Sequence, residues 1–416
     1  MRLSQPVAVL TALAFAIPAS FAAEGTAEGA AEPVPVKDFS VRPMGNLAYD
    51  DKRLVLHPKV LVGVGYDSNV YTAATNENSG SFVHGLVGVL IDYRLNQHQS
   101  IALNGEFETK NYLKKENDKA DLVGGSGAFD YRWQEERNNA GLHLGYDRFN
   151  DPLIQTGEQV LRQSIDGNIS GTFSTSVVRS VIKVGVLRTD YLEDAGFFTK
   201  DSRDNNAIDA TLRIGYSEAR DTFYYALVGY QRIQYDQKIQ FNSSNSATGG
   251  LGLQVRLGER STLTAEGGAT YRVYDGNFGG NTAWNDEKVL APYVNVAVKW
   301  PWEEGSHVGM NLFSRLDESV TANAAWVYGG ILDGRLRMAQ HTGLFASVGV
   351  YQSKDSGSGS GIQIEERNTV EGQAGIEHEL RRGVVVRVKG VYTDSASKTA
   401  NDFSRQVLTL EAAAAF

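Results

Sequence analysis

Cysteine is absent from all 416 residues. That absence removes a disulfide framework, a thiol nucleophile and any zinc or iron–sulfur site built on thiolates. Proline is scarce, 9 residues against 44 glycines and 19 tyrosines, a balance that favours β structure over helix. A basic excess is missing too: the net charge of −9 offers no surface for phosphate contacts, so nucleic acid is not an expected partner. The chain lacks G-x-S-x-G, H-E-x-x-H, a Walker loop and an EF-hand run. Its seven histidines are scattered without a ligand pair at short spacing. No cofactor, no metal and no enzymatic activity are expected.

A long apolar run is missing after the first two dozen residues. The N-terminus carries Arg2, an apolar stretch Val7–Ile17, Pro18 and then Ser20-Phe21-Ala22. This is the pattern of a secretory signal peptide, assigned to residues 1–22, and the run falls short of the about 20 apolar residues a spanning helix needs. Residues 23–54, rich in Ala, Gly, Glu and Pro at their start, read as a flexible periplasmic segment. If the exported protein sits in a membrane, strands must do the spanning.

From there to the end the sequence alternates with period two. Ile101, Leu103, Gly105 and Phe107 share one face, opposite Asn104, Glu106, Glu108 and Lys110; Val294, Val296, Val298 and Trp300 oppose Asn295 and Lys299. Connections between such segments alternate too, from long polar stretches such as 193–204 and 276–287 to tight ones such as Glu135–Asn138 and Arg381–Gly383. That parity belongs to an up-and-down antiparallel transmembrane β-barrel with short periplasmic turns and longer extracellular loops. A Greek-key sandwich would not enforce it. Residues 55–416 accommodate about 18 strands, within 16–18, at roughly 20 residues per strand and connection.

Glycine–tyrosine runs that stop in Asp, Asn or Ser recur, as in Gly63–Tyr71, Leu144–Asp151, Val228–Asp236 and Lys389–Ser395. The repetition marks the outer ends of upward strands, where tyrosine partitions to the membrane interface and the polar residues begin a loop. Trp133, Trp300 and Trp302 fall beside short turns and suit the periplasmic girdle.

The polar phases of the strands carry charges that cannot face lipid cheaply, since Lys or Arg at the midplane costs roughly 2–4 kcal/mol. Glu106, Glu108, Lys110, Arg179, Lys183, Arg256, Glu266, Arg272, Asn311, Arg315, Glu371, Gln373, Glu377, Arg387, Lys389 and Glu411 are therefore assigned to the lumen. A barrel of this size leaves room for water. Mixed signs imply no strong ion selectivity. The last strand ends in Phe416, on the face of Leu408, Leu410, Ala412 and Ala414, and resembles the insertion signal read by the barrel-assembly machinery of Gram-negative bacteria.

The element Gly65-Tyr66-Asp67-Ser68-Asn69-Val70-Tyr71 resembles the first-strand element of the outer-membrane "beta-barrel porin 2" type, with looser likeness over 54–416. The resemblance implies a bacterial outer-membrane barrel, some relatives being associated with exopolysaccharide export. The expected function is a porin-like channel for hydrophilic solutes, or the outer-membrane conduit of an exopolysaccharide export system. The alternatives are a surface or adhesion barrel with a closed lumen, and a soluble exported β protein. Expected partners are outer-membrane lipid and lipopolysaccharide, the assembly machinery and, for the conduit, periplasmic polysaccharide-export proteins.

Overall fold

The computed structural model describes residues 47–49, 53–71, 77–152, 159–192, 203–218, 222–237, 243–258, 260–275, 288–303, 305–317, 324–355, 366–398 and 402–415. A short strand β1 (Leu47–Tyr49) precedes β2 (Leu54–Asp67), β3 (Gly80–Arg94), β4 (Gln99–Tyr112), β5 (Leu122–Glu135), β6 (Asn138–Pro152) and β7 (Gln159–Ser174). Then come β8 (Val178–Tyr191), β9 (Asn205–Glu218), β10 (Thr222–Tyr235), β11 (Ser244–Leu257), β12 (Ser261–Tyr274) and β13 (Lys288–Glu303). The chain ends with β14 (Ser306–Asp317), β15 (Ala325–Ala339), β16 (Thr342–Asp355), β17 (Glu366–Arg381), β18 (Val384–Ser397) and β19 (Phe403–Ala415).

From β2 onward each strand pairs antiparallel with the next, and β19 returns to β2 from Val407↔Asp67 to Ala415↔Lys59. The eighteen strands β2–β19 thus form a closed antiparallel barrel. Closure pairs each of the eighteen strands on both sides over most of its described length, the condition for spanning with strands.

Strand joins contain two to four residues at one end of the barrel and five to thirteen at the other. We take the short-turn end as periplasmic, following the parity of such barrels. Gly305 and Gly383 hold tight turns there at φ of 83° and 80°, a left-handed backbone that a Cβ would strain.

Two local features depart from the sequence reading. Within the segment expected to be flexible, Leu47–Tyr49 pairs with Leu54–Leu56 of β2 and occupies the edge left bare where β19 stops at Lys59. An unpaired ladder edge is costly, so the chain supplies its own cover. In the loop after β4, Lys115–Ala120 forms a 3-10 turn.

Candidate functional site

The two faces of the wall differ along every strand. Rows such as Val60, Val62, Val64 and Tyr66 on β2, or Tyr224, Val228 and Tyr230 on β10, lie exposed on the outside. Leu251 and Leu290 protrude most, at 73% and 71% exposure, a belt that only lipid would cover favourably. Trp300 and Trp302 stand on the same outer face beside the short turn of β13.

The opposite rows carry the charges, largely paired across strands. Glu266 is the densest node: its Oε1 accepts from Arg213 Nε at 2.7 Å and Tyr225 Oη at 2.8 Å. Its Oε2 accepts from Tyr293 Oη at 2.8 Å and Asn295 Nδ2 at 3.4 Å, and no part of the side chain is exposed. One carboxylate therefore ties β9, β10 and β13 to β12. Arg387 donates from Nε and Nη2 to Glu411 Oε2 at 2.9 and 2.8 Å, and Arg335 pairs with Glu377.

Elsewhere on the inner face, Lys59 Nζ reaches Glu106 Oε1 at 2.6 Å, and His84 Nε2 lies 3.0 Å from Glu108. Arg272 donates to Gln231 Oε1 at 3.0 Å, Arg315 to Asp317 Oδ2 at 2.9 Å, Gln373 to Ser347 Oγ at 3.1 Å and Tyr351 to Glu371. Lys183 faces Asp209, and Asn311 shares this face of β14 with Phe313 and Arg315. Arg256 is exposed near the periplasmic turn of β11. The Lys389 side chain makes no hydrogen bond or ion pair with the described residues; Arg387, Glu411 and Glu108 are its charged neighbours. Among the described residues no group of three or more ligating side chains could hold a metal. Phe416 lies outside the described residues.

Glycine has a second role that alternation does not reveal. A Cβ on Gly375 would sit 2.3 Å from the Phe345 ring, and the Arg387 guanidinium lies over that ring at 5.8 Å from its centroid. Gly65 stands in the same relation to Phe82, above which Lys110 lies at 4.4 Å. Tyr225 rests on Gly252, and Arg179 lies over Phe223 at 5.1 Å. An aromatic ring seated on a glycine beneath a cation turns an apolar side chain into part of a charged inner surface.

The tyrosines divide between the faces, so the girdle reading of the glycine–tyrosine runs holds for some of their tyrosines and is corrected for Tyr235, Tyr274 and Tyr351. Tyr66, Tyr146, Tyr230, Tyr271 and Tyr392 are exposed on the outer face, as the interface requires. Tyr112, Tyr191, Tyr235, Tyr274 and Tyr351 are buried on the inner one. A phenol suits either side, because inside the barrel its hydroxyl can serve a buried carboxylate.

Asp67 is the residue that loop reasoning misread. It ends β2 with a fully buried side chain and accepts from Arg405 Nη2 of β19 at 2.6 Å and from Tyr112 Oη at 3.0 Å. Its Oδ1 also takes the Asn69 N–H at 3.1 Å, while Asn69 Nδ2 donates to Ser404 O at 3.0 Å. Ser68 and Gln406 exchange two further bonds, Ser68 N to Gln406 O at 2.9 Å and Gln406 N to Ser68 Oγ at 2.8 Å. The glycine–tyrosine–aspartate element thus fastens the first barrel strand to the last. At the outer rim, Arg188 grips Asp236 with two bonds of 2.9 and 2.7 Å and holds that carboxyl below its usual range.

A family model described as "Putative beta-barrel porin 2" matches residues 53–416, the closed barrel and its seam included. The chain belongs to this family. The family and the barrel together give a porin-like channel of the bacterial outer membrane. Solved structures that resemble it include the outer membrane protein OpdK of Pseudomonas aeruginosa, at 11% identity and a TM-score of 0.48 over 87% of this chain and 99% of that one. A BenF-like porin from Pseudomonas fluorescens Pf-5 gives 10%, 0.49, 86% and 98% in the same order. OccAB4 of Acinetobacter baumannii gives 12%, 0.47, 87% and 98%. No curated protein matches the sequence.

Proposed function

We propose that this family member is a passive, water-filled channel for small hydrophilic solutes, with weak ion selectivity and no catalytic role. The observation that carries the reading is the wall itself: an inner face of cross-paired charges behind an outer face of exposed aliphatics, on a closed barrel of eighteen strands. Barrels of 16–18 strands leave an aqueous path, and pairs of mixed sign hydrate that path without committing it to one ion. Residues 1–22 serve as the export signal, and the terminal strand is the part handed to the assembly machinery. Passage of a polysaccharide strand with periplasmic partners is the narrower alternative, for which no single feature of the wall speaks. The test is reconstitution: the purified, folded protein in a planar bilayer should conduct in discrete steps. Liposomes carrying it should swell in small sugars. A folded protein that does neither would move the reading to a barrel with a closed lumen.

A further inference from the structure

The barrel closes where β19 meets β2, from Val407↔Asp67 to Ala415↔Lys59. Residues along this seam repeat at short intervals: Val60, Val62 and Val64 on the outer row of β2, Gly63 and Gly65 on the inner one, and Ala412–Ala415 at the end of β19. Side chains of such uniform size specify register weakly, and a slip of two residues returns each of them to its own face. Something besides this pattern must settle where β19 comes to rest.

The two directions of slip meet different obstacles. The bonds between Ser68 and Gln406 continue the native register, so Arg405 stands two places above Asp67 and reaches down to it, Nη2 to Oδ2 at 2.6 Å. Moving β19 two residues outward would leave four places between them, roughly 13 Å, and break the pair. Moving it two residues toward the periplasm would set Arg405 directly opposite Asp67, so the pair survives and offers no resistance. That second shift would place Ala415 opposite His57 and drive the end of β19 onto Leu56. Leu56 is already taken, since β1 pairs there as Leu47↔Leu56, Ala48↔Val55 and Tyr49↔Leu54. Four residues join β1 to β2, whereas Val407 and Asp67 lie 340 positions apart. Contacts so local form first, because closing a long loop costs more entropy. β1 is thus seated before β19 arrives.

We propose that β1 is a register stop for barrel closure: by holding Leu54–Leu56 of β2 it bars β19 from settling two residues nearer the periplasm. Strand number and stagger together fix the dimensions of a barrel, so the stop also fixes its width. Glu411 favours the native register as well, being seated over Gly63, where a Cβ would lie 2.9 Å from its Cγ. Without β1 the two registers should therefore coexist. The inference is independent of what passes through the bore.

Cysteine pairs read the register directly, since the chain has no cysteine of its own. Ala412→Cys with Val62→Cys, opposed in the native ladder, should oxidise to a disulfide. The pair Ala412→Cys with Val60→Cys is diagonal there, about 7–8 Å apart, beyond the usual disulfide span of about 4.4–6.8 Å between Cα atoms. It becomes opposed after the slip. Each pair would be built into the full chain and into two variants without the stop. One variant carries Leu47→Pro, Ala48→Pro and Tyr49→Pro together, which removes every N–H that β1 could donate, and the other lacks residues 47–49. Crosslinks would be scored on the folded, heat-modifiable band. With β1 intact only the Val62→Cys pair should close; without it the Val60→Cys pair should close to a comparable extent. A folded variant of either kind that closes only the Val62→Cys pair would overturn the proposal. Loss of all folded protein would overturn it too, because a stop acts on register and leaves barrel formation itself intact. Ala48→Cys with Val55→Cys should crosslink in the otherwise unaltered chain, and failure there would remove the stop altogether.

Discussion

Replacing Glu266 with glutamine isolates what a buried charge contributes to this wall. The carboxylate receives four hydrogen bonds from four residues on three other strands, and its side chain is fully covered. Glutamine keeps the shape and can still accept from Arg213 and Tyr225 through its carbonyl oxygen. Its amide then replaces the oxygen that faced Tyr293 and Asn295. The tyrosine hydroxyl can turn to accept, and the Asn295 carboxamide can rotate to offer its oxygen. The larger loss is the negative charge beside Arg213, whose side chain is only 15% exposed. Breaking a buried ion pair from one side costs about 3–5 kcal/mol, and the bonds that glutamine retains place Glu266→Gln near the lower end, about 3 kcal/mol. Glu266→Leu, which keeps none, should reach the upper end, about 5 kcal/mol. Urea titration of the folded fraction in lipid vesicles, read by heat-modifiable migration, measures both. A glutamine variant within about 0.5 kcal/mol of the parent, the scatter of ordinary surface substitutions, would refute the argument that Glu266 binds these strands together.

Other outcomes follow from the same geometry. Asp67→Arg should lower the folded yield sharply by placing two cations together at the seam, and adding Arg405→Asp should restore part of it. Equal loss in the single and double variants would deny the pair that role. Deleting Phe416 should reduce the amount of heat-modifiable barrel formed in cells while barely changing the unfolding of molecules already inserted; unchanged assembly would count against a terminal insertion signal. Arg387→Glu should destabilise the wall, because it sets two carboxylates together where Arg387 now clamps Glu411 at 2.8 Å. Adding Glu411→Arg should recover stability, which urea midpoints would register.

Alternation makes the two faces legible in the sequence alone. Side chains on a strand point to opposite sides with period two, so the phase of Val294, Val296 and Val298 assigns Asn295 and Lys299 without knowledge of the neighbours. Register is another matter. The Asp67–Arg405 pair spans 338 positions and Arg213–Glu266 spans 53, and nothing in one chain records which rows meet across a ladder. The same limit hides the nesting of Phe345 on Gly375 and of Phe82 on Gly65, since each glycine serves a ring on another strand. Tyrosine gives no sign of its side because its ring and hydroxyl fit both. The strand β1, at three residues, is too short to show a period.

The central claim is that the inner rows line the path of the current, and neighbouring positions on β18 test it most directly. Lys389 lies on the inner row with no side-chain hydrogen bond or ion pair to the described residues, and Val388 beside it is exposed on the outer face. The chain has no cysteine, so Lys389→Cys and Val388→Cys each introduce a single thiol into an otherwise unreactive protein. A membrane-impermeant, negatively charged thiol reagent added during single-channel recording should alter the current through the Lys389→Cys channel. The shift in ion preference should be larger at low salt, where a fixed charge is felt beyond about 10 Å. The Val388→Cys channel should continue unchanged. Modification that alters the Val388→Cys current, or leaves the Lys389→Cys current untouched while labelling of the introduced thiol is confirmed, would contradict the account.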